Sequence, residues 1–168
     1  MIFYEEIIRE FQKQKVKYIL VGGIAVNLLG GLRNTSDLDI LVEMSDGNLA
    51  KVVDILVKQG YSVKQPVDPM GMADESTRRE WIHKKHMKAF NFYKDEEFKE
   101  VDIIIESPVS YEEAKKTLRH IKYEDIILPV ISIAHLIKMK RKANRPIDKF
   151  DIVELKRIQR LKGIFNDL

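Results

Sequence analysis

Two short apolar runs flanking a glycine pair constrain this chain more than any other feature. Lys17–Val21 is an apolar run that stops at Gly22 and Gly23, and Asp37–Glu43 alternates polar and apolar residues, the period of a strand with one polar face. Between them Ile24–Leu29 reads as a short helix ended by Gly30 and Gly31. The unit is strand, glycine turn, helix, strand.

The flanking segments extend that pattern. Phe3, Ile7, Ile8 and Phe11 recur at helical spacing, so Met1–Lys15 is expected to open the chain as an amphipathic helix, with Phe3 and Tyr4 suited equally to a core or to a dimer contact. Ser45 or Asp46 can cap a helix running to about Gln59, with Leu49, Val52, Val53, Leu56 and Val57 facing inward and Gly60 as its stop. Tyr61–Lys64 reads as a strand, Pro66–Ala73 as a loop and Asp74–His83 as a short helix. Lys88–Tyr93 and Glu100–Ile105 both alternate, and the polar stretch Lys94–Lys99 reads as their hairpin connection, which makes the sheet mixed. Two more strands are expected near Leu118–Tyr123 and Ile126–Val130, then helices at Ile133–Ala143 and Ile147–Leu161, separated by Arg145 and Pro146. The expectation is an α+β fold, a mixed β-sheet flanked by helices with a C-terminal helical tail. It forms a single domain over residues 1–168, with a catalytic sheet and helices over 1–130 and basic helices over 131–168.

Composition removes several classes of function. The 168 residues contain no cysteine, which excludes disulfides and thiolate metal sites, and nothing calls for an oxidising compartment. The N-terminal apolar repeat carries Glu5, Glu6, Arg9 and Glu10, so it is neither a signal peptide nor a membrane span; a soluble, cytoplasmic protein with no membrane partner is expected. The net charge is only +3, yet residues 115–168 hold 14 Lys or Arg against 6 Asp or Glu, and residues 1–114 hold 15 against 20. A basic tail on an acidic body suits an enzyme that gathers anions over carboxylates.

The chemistry concentrates around Asp37 and Asp39. Residues two apart in a strand share a face, so these two carboxylates project together while Leu38 and Ile40 enter the core. Side by side they repel, and a divalent cation removes the conflict; hard oxygen donors in an open site suit Mg²⁺ shared with a phosphate. Upstream, Gly22 and Gly23 sit where a strand ends and a helix starts, so bare backbone N–H groups and the helix dipole can receive an anion. Other candidates are weaker. His83 and His86 make a poor zinc site without further ligands, and Trp81, Phe90, Phe92 and Tyr93 read as core.

Val21-Gly22-Gly23, thirteen intervening residues and then Asp37-Leu38-Asp39-Ile40 together resemble the signature of the DNA polymerase β-like nucleotidyltransferase superfamily. The stretch from Gly31 to Asp37, with Arg33 and Thr35 before the aspartate pair, resembles the branch containing abortive-infection nucleotidyltransferase toxins. So do Ser132–Lys140 and the run from Ala143 through Arg145 and Asp148 to Asp151. The resemblance covers roughly residues 17–43, 98–106 and 130–156. It implies a third carboxylate on a neighbouring strand, and Asp102 fits, a lone acid among Val101, Ile103 and Ile104; Glu100, on the same face, is the competitor. It further implies a nucleoside triphosphate such as ATP as substrate and two Mg²⁺ ions held by Asp37, Asp39 and Asp102. Gly22 and Gly23 would cradle its phosphates, and Lys140 with Arg33 would neutralise the remaining phosphate charge. Asp148 and Asp151 would position the basic helix. The acceptor implied is an RNA, such as a tRNA end, in a toxin–antitoxin setting that could include a cognate protein partner. A small hydroxylated molecule is the alternative and predicts an acidic acceptor pocket; an antitoxin-like module acting on a protein is a third reading.

Overall fold

The computed structural model describes residues 4–166. In chain order these form α1 (Glu5–Lys13), β1 (Tyr18–Leu20), α2 (Gly22–Leu28), β2 (Leu38–Val42), α3 (Asp46–Lys58), β3 (Ser62–Val63), α4 (Glu75–Lys85), β4 (Ala89–Lys94), β5 (Lys99–Ile104), α5 (Tyr111–Lys115), β6 (Arg119–Tyr123), β7 (Ile126–Val130), α6 (Ile133–Ala143) and α7 (Pro146–Asn166). The expected α+β class is what forms. None of the described helices is long and apolar enough to cross a membrane. The described residues pack as two compact units, one built from residues 4–18 and 36–106, the other from 19–35 and 107–166.

In the first unit the strands run in the order β3, β4, β5, β2. β2 and β5 are parallel, whereas β3 with β4 and β4 with β5 are antiparallel, so the sheet is mixed. β2 is buried at Leu38, Ile40, Leu41 and Val42, and Asp39 alone interrupts that run with a half-buried acid. α1 packs against α3 through a buried face that includes Ile7, Ile8 and Phe11. Tyr4 is buried and belongs to this core; Phe3 lies outside the described residues.

Three expectations for this unit change. Val57, expected inward, is 48% exposed, while Ile55 and Asn48 are buried instead. Asn48 is satisfied there because its amide donates to the carbonyls of Lys17 and Glu43 and accepts from the Lys17 N–H. The segment Pro66–Ala73 is not all loop: Pro69–Ala73 winds into a 3₁₀ helix whose N-terminal Asp68 accepts from the Met70 N–H at 2.9 Å. The Trp81 ring closes over Gly71 so tightly that a Cβ there would lie 2.9 Å from it. Third, α4 runs on to Lys85, two residues past the expected end, and stops where His86 takes φ +49°, a left-handed C-cap. Arg78, buried on α4, donates to the Met72 and Met44 carbonyls and to Asp46, which ties α4 to the start of α3.

In the second unit β1 runs parallel to β7, and β6 pairs antiparallel with β7. The short α5 was not anticipated, since one turn is too brief to display a period; Ser110 starts it by accepting from the Glu113 N–H. α6 matches its expected bounds, with Ser132 as N-cap and Asn144 at φ +51° as C-cap, and Pro146 then starts α7, which packs on α6. α7 is longer than expected because nothing in Leu161–Asn166 breaks a helix at once.

Candidate active site

The first unit assembles a row of polar side chains across adjacent strands. Asp39 on β2 is the register partner of Asp102 on β5, and Asp102 is in turn the register partner of Asn91 on β4. Residues directly opposite in neighbouring strands share a face, so Asp39, Asp102 and Asn91 rise from the same side of this sheet. Asp37, one residue before β2, lies near enough to act electrostatically on Asp102. Glu100, the competing acid, is engaged by Lys64 at 2.6 Å.

Burial raises the Asp102 carboxyl above the usual carboxylate range. The hydrogen bond from Asn91 Nδ2, at 2.7 Å, works against this, the charges of Asp37 and Glu100 add to it, and Lys64 pulls it back. Among the described residues no three acid or histidine side chains close tightly enough to enclose an ion. Asp39 and Asp102 share a face, and in this conformation Asp102 turns one oxygen to Asn91 while Asp37 accepts from Ser36 Oγ at 3.0 Å.

Asn91 and Gln65 were not singled out from the sequence, and Tyr4 only as a core or dimer-contact residue. The Tyr4 hydroxyl lies 2.6 Å from the Ser36 carbonyl and 2.8 Å from the Glu100 carbonyl, and it accepts from the Glu100 N–H at 3.0 Å. It thereby joins the residue before Asp37 to the strand that carries Asp102, and burial pushes its own pKa to about 12. Gln65 donates to Asn91 Oδ1 at 2.7 Å, which leaves the Asn91 NH₂ for Asp102 and fixes the amide's orientation. Gln65 and Asn91 also line a pocket of about 540 Å³, together with Lys85, His86, Met87 and Lys88. A hydrophobic or alternating pattern cannot reveal such partners, because they depend on which strands become neighbours.

The second unit holds the remaining expected residues. Gly22 sits at φ +65°, a conformation that favours glycine. Gly23 has its own reason: a Cβ there would lie 2.7 Å from Thr35 Oγ1. Val21 supplies no side-chain cap to α2, so the first-turn N–H groups of Gly22, Gly23 and Ile24 lack intrahelical acceptors. Lys140 on α6 is only 4% exposed, with Nζ 2.6 Å from Asp151 and 3.5 Å from Asp148. Arg33 donates to the same Asp151 oxygen at 2.5 Å. Arg145 donates to Asp148 through both its backbone N–H and its guanidinium. Burial alone would raise the Asp148 carboxyl, but the Arg145 hydrogen bonds outweigh it and hold Asp148 below its usual range.

No curated protein sequence matches this chain. Among solved structures it is similar to the lincosamide antibiotic adenylyltransferase LnuA, solved with lincomycin bound. The identity is 22% and the TM-score 0.63, over 93% of this chain and 96% of that one. It is also similar to ANT(2″)-Ia in complex with adenylyl-2″-tobramycin, at 12% identity and a TM-score of 0.57, over 97% of this chain and 94% of the other. At such identities the likeness is one of fold. Residues 3–162, nearly the whole sequence, match a family described as uncharacterised nucleotidyltransferase, and the chain belongs to that family.

Proposed function

We propose that this nucleotidyltransferase is Mg²⁺-dependent and moves a nucleoside monophosphate from a nucleoside triphosphate to an acceptor hydroxyl, with Asp37, Asp39 and Asp102 as its catalytic carboxylates. The observation that supports it best is the register of Asp39 with Asp102 on parallel strands, Asp37 acting on the same group. The residues suit the metal. An all-oxygen donor set in which burial, followed by the charges of Asp37 and Glu100, lifts Asp102 gains from a hard divalent cation, and Asp37, Asp39 and Asp102 would hold it. When bound, Mg²⁺ supplies neutralisation of triphosphate charge and makes the acceptor hydroxyl easier to deprotonate.

The acceptor oxygen forms a bond to the α-phosphorus while the bond from that phosphorus to the bridging oxygen of the β-phosphate breaks, and pyrophosphate departs with the bonding pair. The hydroxyl proton passes to a carboxylate oxygen of Asp102. Gly22 and Gly23 contribute backbone N–H groups to the triphosphate, and Arg33 and Lys140 contribute positive charge to it. The leading acceptor is an RNA end, as in a toxin–antitoxin pair in the cytoplasm. The second reading, a small hydroxylated molecule, draws on the lincomycin and tobramycin named for the two similar structures.

The test incubates the protein with Mg²⁺ and each labelled nucleoside triphosphate, adding total cellular RNA or protein lysate, and compares wild type with Asp39→Ala. Label entering RNA with wild type alone is the expected result. Equal labelling by both proteins sinks the assignment.

A further inference from the structure

The pocket beside Asp102 carries information about the acceptor. Its volume, about 540 Å³, falls in the range that holds small ligands or a terminal nucleotide. It adjoins the carboxylate row through a single side chain: Asn91 lines the pocket and donates to Asp102 at 2.7 Å. A molecule lodged there lies one residue from the group assigned to accept the proton.

The charge of the lining is one-sided. Lys85 and Lys88 carry positive charge and His86 an imidazole, Gln65 and Asn91 are neutral amides, and among the described residues no carboxylate lines this largely apolar pocket, with Asp102 standing behind Asn91. Asp68, next in sequence to the lining residue Val67, accepts from the Met70 N–H, and Asp102 accepts from Asn91. A polycationic acceptor would meet like charge here, and a phosphate would meet complementary charge. Val67 and Met87 add apolar surface for a sugar or a base.

We propose that the pocket lined by Gln65, Lys85, His86, Lys88 and Asn91 is the acceptor subsite and that it seats an acceptor by a phosphate group. This rests on the nucleotidyl-transfer reading above and narrows it to phosphate-bearing acceptors, whether a small sugar phosphate or the end of an RNA strand. Aminoglycoside-like polycations are thereby excluded.

Trp81 is the only tryptophan, and Lys85 Nζ stands 5.9 Å from its ring, so ligands that capture Lys85 should change its fluorescence. The full-length protein is titrated without nucleoside triphosphate or Mg²⁺, so binding is read apart from catalysis. The probes are a short single-stranded oligoribonucleotide, ribose 5-phosphate and an aminoglycoside. Wild type is compared with Lys85→Glu/Lys88→Glu; both lysines are exposed, and circular dichroism checks the fold. At least one phosphate probe should bind tighter than the aminoglycoside and lose about tenfold or more in the double variant, with a shallower salt dependence. Binding of both phosphate probes identifies the phosphate itself as the ligand group; binding of RNA alone identifies a strand. Under turnover the double variant should raise KM for the acceptor and leave KM for the nucleotide unchanged. Equal phosphate binding by both proteins, or tighter binding of the aminoglycoside, overturns the proposal. Neither result depends on Asp39, so failure of the transfer chemistry and failure of this subsite are distinguishable.

Discussion

In the first unit a half-buried carboxylate, Asp102, is pushed above its usual range; in the second a buried one, Asp148, is held below it. Burial acts in the same direction on both, so the neighbours make the difference. Asp102 has two further acids acting on it and Lys64 as partial compensation, whereas Asp148 is clasped by Arg145 and reached by Lys140. A cluster that remains electrostatically dissatisfied gains free energy when a cation arrives, which is how a binding site behaves. A cluster whose carboxylates are already paired needs no added cation, and Arg33, Lys140 and Arg145 against Asp148 and Asp151 leave a surplus positive charge that suits an anion.

That contrast can be broken by four measurements. Asp37→Asn should reduce pyrophosphate release by about 100-fold or more while the urea midpoint stays level or rises, because the change removes a charge that weighs on Asp102; a large drop in stability would mean that this cluster is structural too. Lys140→Met should do the reverse to the fold, costing about 3–5 kcal/mol in urea titration by leaving Asp148 and Asp151 buried without its ammonium. A cost under about 1 kcal/mol would show that the network is not self-neutralising. Asn91→Ala should lower kcat about tenfold and stability by only about 1 kcal/mol, since it frees Asp102 without emptying the core.

The smallest expected effect is on acid stability. The depressed pKa of Asp148 means that its contribution is complete above the ordinary carboxylate value of 3.8 and is lost as pH falls through the lower folded value. Wild type should therefore lose more stability than Asp148→Asn between about pH 5 and about pH 2, measured by urea midpoints. Parallel pH profiles would contradict the assignment of Asp148 to the closed network.

Much of the fold could be read from the chain because local period and local chemistry agree. β2, α3 and α6 follow from alternation, helical spacing and a Gly or Asn stop, all within a few residues; Ser132 caps α6, whereas Ser45, expected to cap α3, turns its hydroxyl to Glu43. The places that could not be read are those where a distant partner decides. Val57 has the same helical spacing as Leu49 and Val53 yet faces solvent, and Asn48 goes inward because two backbone carbonyls from other segments need its amide. Tyr4 reaches Glu100 across 96 positions of sequence, a separation at which no pattern carries information. Lys140 was legible as one basic residue among several, but its burial against Asp148 and Asp151 was not.

The residues alone determined that Asp39 faces away from the buried Leu38 and Ile40, because strand geometry alternates with period two whatever surrounds it. They also determined where glycine was needed, since φ +65° at Gly22 is a property of the backbone at that point. Only tertiary structure decided that Asp102 stands level with Asp39, that Asn91 restrains it and that lysines flank the adjoining pocket. Strand register and neighbour choice arise from the packing of the entire unit. A carboxylate's charge state follows from those neighbours, so its chemistry is settled only once they are in place.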